Sequence, residues 1–153
     1  MTQFATSDTN PFGTTITADD IVDTLGFFDT WEDRYRYIID LGKELPPMDE
    51  QLKTEDRLVR GCQSQVWMEA HIIDNVLWLQ VDSDAFIVKG LLGIVLAAFN
   101  GKSPTEVLAF DIEGYLDTLG LLKHLSPTRG NGVRAMVNKI VAVAQENLSK
   151  SAH

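Results

Sequence analysis

An α+β domain is predicted by three features of this sequence: helical periodicity towards both ends, one stretch of period-two alternation in the middle, and no βαβ repeat. The alternating stretch sets Val66, Met68, Ala70 and Ile72 against Trp67, Glu69 and His71, then turns at Asp74-Asn75. It returns through Val76-Leu77-Trp78-Leu79-Gln80-Val81, the pattern of a β-hairpin. A further short strand is expected at Arg57-Leu58-Val59-Arg60, giving a small antiparallel sheet of about three strands with helices on either side in sequence.

The elements follow in order. Residues 1–13 are polar and broken by Asn10-Pro11 and Gly13, so they read as a mobile N-terminal tail, with a single domain over residues 14–149. Thr17 is placed to cap a first helix whose apolar positions are Ile21, Leu25 and Phe28. A second starts after Thr30, with Trp31, Tyr35, Ile38 and Ile39 on one side and Gly42 as its stop. Pro46-Pro47 closes that unit, and a charged stretch, residues 49–56, leads to the first strand. After the hairpin, Asp82, Ser83 and Asp84 offer capping oxygens and negative charge to a long apolar helix, residues 85–99, that Asn100-Gly101 ends. Gly90 and Gly93 within it allow another chain segment to come close. Ser103-Pro104-Thr105-Glu106 is a capping box with proline at the first helical position. A helix from Asp111 to Gly120 follows, and Ser126-Pro127 precedes a last one over residues 132–148, with Val133, Met136, Val137, Ile140, Val141 and Ala144 on one face.

Composition narrows the function. The chain has 153 residues, 44% of them hydrophobic, enough for one cored domain. Its 22 acidic and 13 basic residues give a formal charge of -9, which repels nucleic acid and anionic membranes. The acidic excess is concentrated early: Asp8, Asp19, Asp20, Asp23 and Asp29 all precede Arg34, the first basic residue. The longest apolar stretch, residues 85–99, contains Lys89 and falls short of the roughly 20 residues that span a bilayer. One cysteine forms no internal disulfide and no secretory leader is visible, so a reducing cytoplasm is expected.

That cysteine, Cys62, is the candidate for chemistry. A lone cysteine is most often a small buried apolar residue. Here Arg60-Gly61-Cys62-Gln63-Ser64-Gln65 is polar on both sides, and Gly61 permits a turn, which places Cys62 on a loop between two strands. Arg57 and Arg60 nearby would favour the thiolate, and Ser64 with flanking N–H groups could hold a sulfur anion. Metal ligation is disfavoured, because His71, His124 and His153 show no ligand spacing with the one cysteine. A Cys–His hydrolase would need His71 or His124 as base and has no recognisable third member. Redox pairing lacks a resolving thiol. Covalent carriage of a group between partners needs only one accessible nucleophile. Other residues keep two readings: Trp67 as pocket wall or plain core, Arg129 as anion partner or surface cation, Asp84 as helix-terminal charge or docking contact, and His124 as proton partner or ordinary histidine.

Three blocks carry a resemblance: Gly61-Cys62-Gln63-Ser64-Gln65-Val66-Trp67, Asp82-Ser83-Asp84-Ala85-Phe86-Ile87-Val88-Lys89-Gly90-Leu91, and His124-Leu125-Ser126-Pro127-Thr128-Arg129-Gly130-Asn131-Gly132. With Trp31-Glu32-Asp33-Arg34-Tyr35 they resemble the SufE family of sulfur-acceptor proteins. The resemblance implies a fold akin to IscU-type iron–sulfur scaffolds, with the cysteine on a loop able to swing outward. It implies a sulfur carrier that accepts persulfide sulfur on Cys62 from a cysteine desulfurase, stimulates that enzyme, and passes the sulfur to an iron–sulfur scaffold or another acceptor. The chain would then be a partner subunit rather than a stand-alone enzyme. It would bind no cofactor, the pyridoxal phosphate (PLP) residing on the desulfurase, and would be a monomer or weak homodimer when free. The Cys62 block resembles SufE proper, whereas Pro11-Phe12-Gly13-Thr14-Thr15-Ile16-Thr17-Ala18 resembles the CsdE branch, leaving a SufS-like or a CsdA-like partner open. A non-covalent regulator of a desulfurase is the competing reading. A resting thiol tucked under Trp67 and released on docking is also expected.

Overall fold

A computed structural model describes residues 10–59 and 65–151 of the chain. Helix α1 (Ala18–Phe27) starts at a reciprocal capping box: Asp20 N–H donates to Thr17 Oγ1, and Thr17 N–H donates to the Asp20 carboxylate. Helix α2 (Trp31–Gly42) is capped the same way on one side, by Thr30 accepting from Asp33 N–H. Two 3₁₀ turns, Glu50–Leu52 and Glu55–Arg57, then carry the charged stretch to the sheet.

The sheet is a hairpin of β1 (Val66–Ile73) and β2 (Val76–Ser83), antiparallel, with Val66 opposite Ser83 and Ile73 opposite Val76. Asp74 and Asn75 both take positive φ, 52° and 62°, as a two-residue turn with the right twist requires. The expected strand at residues 57–60 is reduced: Arg57 closes a 3₁₀ turn, and only Leu58 bridges Trp67. Among the described residues two strands therefore form where about three were expected, because the turn consumes the residues that would have lengthened the first.

Helix α3 (Phe86–Phe99) is the centre of the molecule, and every residue from Gly90 to Phe99 is buried. It packs on α1, α2, β2 and α7, so from Gly90 onward it is covered on nearly every side, which explains its all-round hydrophobicity. Close approach is built in at Gly90, where a Cβ would run into the carbonyl of Ile38 on α2. Among the described residues no helix is long and apolar enough to cross a membrane. The expected side-chain cap of α3 is absent: Ala85 stands at the cap position, and Asp82 instead binds Lys53 and Lys89.

Helices α4 (Pro104–Ala109), with the Ser103–Glu106 capping box, and α5 (Ile112–Leu119), ended by left-handed Gly120, follow the sequence signals. A one-turn α6 (Leu121–His124) was not anticipated. The last helix, α7 (Pro127–Ser151), begins five residues before the expected Gly132. Ser126 supplies the reason: its hydroxyl accepts from Arg129 N–H and its carbonyl from Gly130 N–H, so Pro127 is a first helical residue and not a preceding break.

Residues 10–13, expected within the mobile tail, are part of the core. Phe12 is fully buried, and its ring fills the space that the missing Cβ of Gly93 leaves. Asn10 Nδ2 donates to the Leu79 carbonyl, Asn100 Oδ1 accepts from Leu79 N–H at 2.8 Å, and Asn100 Nδ2 donates to the Phe12 carbonyl. These amides pair the outer edge of β2 where another strand would otherwise lie.

Candidate functional site

Cys62 and its neighbours Gly61, Gln63 and Ser64 lie outside the described residues, as does Arg60, and the frame that holds their segment is defined on both sides. Val59 N–H donates to the Val66 carbonyl at 2.8 Å, one residue beyond the Leu58–Trp67 bridge. Gln65 N–H donates to Asp84 Oδ1 at 3.1 Å, and Asp84 N–H faces the Gln65 carbonyl at 3.4 Å. Val59 and Gln65, the described residues on either side of 60–64, are therefore held close together, and Asp84 fixes Gln65. That is the structural work of Asp84, which the sequence presents as a helix-terminal charge.

Beside this frame lies a crevice of about 440 Å³, its open mouth included. Val66 of β1, Val88, Leu91, Leu92 and Val95 of α3, and Gly132, Val133 and Met136 of α7 form its walls. Thr128 and Arg129 are the polar members, so Arg129 stands within reach of the frame as an exposed cation at an otherwise apolar opening. Sequence reasoning treats the α3 and α7 residues as core. Their i, i+3, i+4 spacing is a core signal, and nothing in it marks a face that stays partly open.

Trp67 lies on the other side of the strand from Val66, because successive β residues point to opposite faces. Its ring carries Lys53, whose Nζ sits 5.5 Å from the ring centroid. Lys53 also binds Asp82 at 2.9 Å, and Lys89 reaches the same carboxylate at 3.4 Å. Burial pushes the Asp82 carboxyl up, but the hydrogen bonds from Lys53 and Ser83 N–H, with the two lysine charges, outweigh it and hold the group below the usual carboxylate range. Lys53 is raised in turn, first by its hydrogen bond to Asp82 and then by that to Glu50.

Of the two cations expected to favour the thiolate, Arg60 lies outside the described residues and Arg57 is engaged elsewhere. Arg57 pairs with Glu69 on the outer face of β1, and this hydrogen bond raises the guanidinium further. His71 stands on that face with Nε2 3.4 Å from Glu69. His124 stacks on Trp31 with ring centroids 3.8 Å apart, and its carbonyl accepts from Tyr35 Oη. The two histidines thus belong to separate clusters, one on the sheet and one between α2 and α6. No group of three His, Cys, Asp or Glu side chains suited to a metal occurs among the described residues.

The family model for SufE, the Fe-S metabolism associated domain, matches residues 19–144. The chain belongs to the SufE family. Its SufE-family relatives include an uncharacterized SufE-like protein of Rhizobium meliloti, 45% identical over 85% of this chain and 96% of the relative. Another, of Rhizobium etli, is 44% identical over 80% of this chain and 85% of its own. The sulfur acceptor protein CsdE of Escherichia coli K12 is 36% identical over 90% and 94%. The fold matches the solution structure of a hypothetical protein from Thermus thermophilus, with a TM-score of 0.71 at 21% identity, over 86% of this chain and 96% of that one. The α+β architecture with a small antiparallel sheet is therefore that of a known fold.

Proposed function

We propose that this SufE-family chain is a sulfur acceptor and carrier that works through Cys62. The observation that supports the reading is the frame on either side of the one cysteine in the sequence: Val59 pairs with Val66, Gln65 is held by Asp84, and an apolar crevice lies beside them. The relationship to CsdE, named a sulfur acceptor, supports the same role.

The donor in this reading is a PLP-dependent cysteine desulfurase, SufS-like or CsdA-like, that carries sulfur as a persulfide on its own cysteine. The Cys62 thiol loses its proton to solvent, and the thiolate attacks the terminal sulfur of the donor persulfide. A new sulfur–sulfur bond forms at Cys62, the donor's bond breaks, and its cysteine leaves as a thiolate that is reprotonated. No external oxidant or reductant is consumed. Emptying the donor frees it for another turnover, which accounts for stimulation. The sulfur then moves to an iron–sulfur scaffold or another acceptor by the same exchange.

In this reading the thiol rests against the crevice on the Val66 face of β1, rather than under Trp67 on the opposite face. An apolar surround raises a thiol's pKa and keeps it protonated and inert, whereas release into water on docking restores the thiolate. Arg129 at the opening is positioned to meet the anion as it emerges.

The test is intact mass after incubation with a cysteine desulfurase and L-cysteine. The native chain should gain one reductant-labile sulfur, and Cys62→Ser should gain none and lose nearly all stimulation. Stimulation retained by Cys62→Ser would instead establish a regulator acting by contact alone.

A further inference from the structure

We propose that Phe86 and the groove beside it, bounded by Leu45, Pro46 and Pro47, are a docking surface for the sulfur-donating desulfurase. This rests on the sulfur-acceptor reading and names the surface by which the partner is held. Phe86 opens α3 and is 73% exposed, although the ten residues from Gly90 onward are all buried. The groove, about 540 Å³ with its open mouth, runs between the first turn of α3 and the segment after α2, over Gly42 and Asp82. Lys43 and Lys89 stand on it.

Three considerations point to the desulfurase as occupant. Sulfur transfer brings two sulfurs to bonding distance, so the donor must cover the segment that carries Cys62. A standard interface of about 800 Å² per partner is roughly 30 Å across. The path from Cys62 to Phe86 is shorter: three residues to Gln65, the hydrogen bond to Asp84, and two residues more, at no more than about 3.6 Å per residue. Phe86 therefore lies within one interface width of Cys62, where the contact of a donor that reaches Cys62 extends.

The chemistry of the groove also suits a protein partner. Aromatic side chains are enriched among residues that dominate binding, since a rigid ring buries much area with few rotors to immobilise. Pro46 and Pro47 present apolar surface with no backbone N–H to be stranded on desolvation. Finally, the two lysines on the groove are already paired, Lys89 with Asp82 and Lys43 with Asp40, so a protein partner can cover its apolar side chains without stranding a charge.

The experiment titrates the native chain, Phe86→Ala and Phe86→Glu into a SufS-like and a CsdA-like desulfurase, reading L-cysteine turnover and the sulfur mass gain on Cys62. With the desulfurase of its branch, Phe86→Ala should raise the half-saturating concentration about tenfold and Phe86→Glu more, with maximal stimulation and thermal midpoint unchanged. Half-saturation within twofold of native for both variants, while the native chain still gains sulfur, would overturn the docking surface and leave the carrier reading standing. No sulfur gain by the native chain with either desulfurase would overturn both. A variant that shifts self-association in sedimentation, without moving half-saturation, would assign the groove to a second copy of this chain and also overturn it.

Discussion

Asn100 and Asp84 each tie together segments far apart in sequence, and each makes a prediction about one side chain. Asn100 is wholly buried, with Oδ1 on Leu79 N–H and Nδ2 on the Phe12 carbonyl. Truncation to Ala strands both backbone groups, each at about 1–3 kcal/mol, so Asn100→Ala should lose at least ~2 kcal/mol in urea unfolding. Asp84 is exposed, and Asp84→Ala should leave the urea midpoint nearly unchanged while removing the carboxylate that holds Gln65. Cys62 in that variant should react several-fold faster with iodoacetamide than in the native chain; an unchanged rate would mean that this contact does not hold the segment. Caps such as Thr17 and Ser103 are legible in the sequence because donor and acceptor lie three residues apart. The partners of Asp84 and Asn100 lie 19 and 88 residues away, and no local pattern announces them.

At the scale of elements, the contact between α2 and α3 depends on the absence of a side chain. Gly90→Ala would push a methyl into the Ile38 carbonyl, and because helix backbone yields less readily than a side chain, the loss should exceed the roughly 1–3 kcal/mol usual for overpacking. Chemical denaturation measures it, and a change below about 0.5 kcal/mol would show that the two helices separate easily. The spacing of Gly90 and Gly93 revealed close approach in advance but not which segment approaches, and the approaching segments turned out to be α2 and the Phe12 ring. The hairpin was legible to its turn residues because period-two alternation and Asp74-Asn75 agree. The short strand before it was not, since 3₁₀ turns give no periodic signal over three residues and Arg57-Leu58-Val59-Arg60 reads equally as strand.

For the whole molecule, charge and core set the response to acid. Asp82 is held below the ordinary carboxylate pKa of about 3.9, so its contribution is present above that value and is lost as pH falls through the lower folded value. The urea midpoint of the native chain should therefore fall more steeply below about pH 4 than that of Asp82→Asn, which should already be destabilised at pH 7. Parallel curves would remove the Lys53–Asp82–Lys89 cluster from the stability of the fold. The overall class and the family were visible in the sequence, whereas the crevice was not, because it exists only where β1, α3 and α7 meet. The burial of Phe12 against α3 has one more consequence, which concerns synthesis. The chain is made from its N-terminus, and the Phe12 carbonyl waits 88 residues for Asn100. At about 5–20 residues per second that is roughly 4 to 18 seconds. During that interval the Phe12 ring and carbonyl lack the partners that α3 and Asn100 supply, so the nascent chain completes its core only after the hairpin and α3 have both been made.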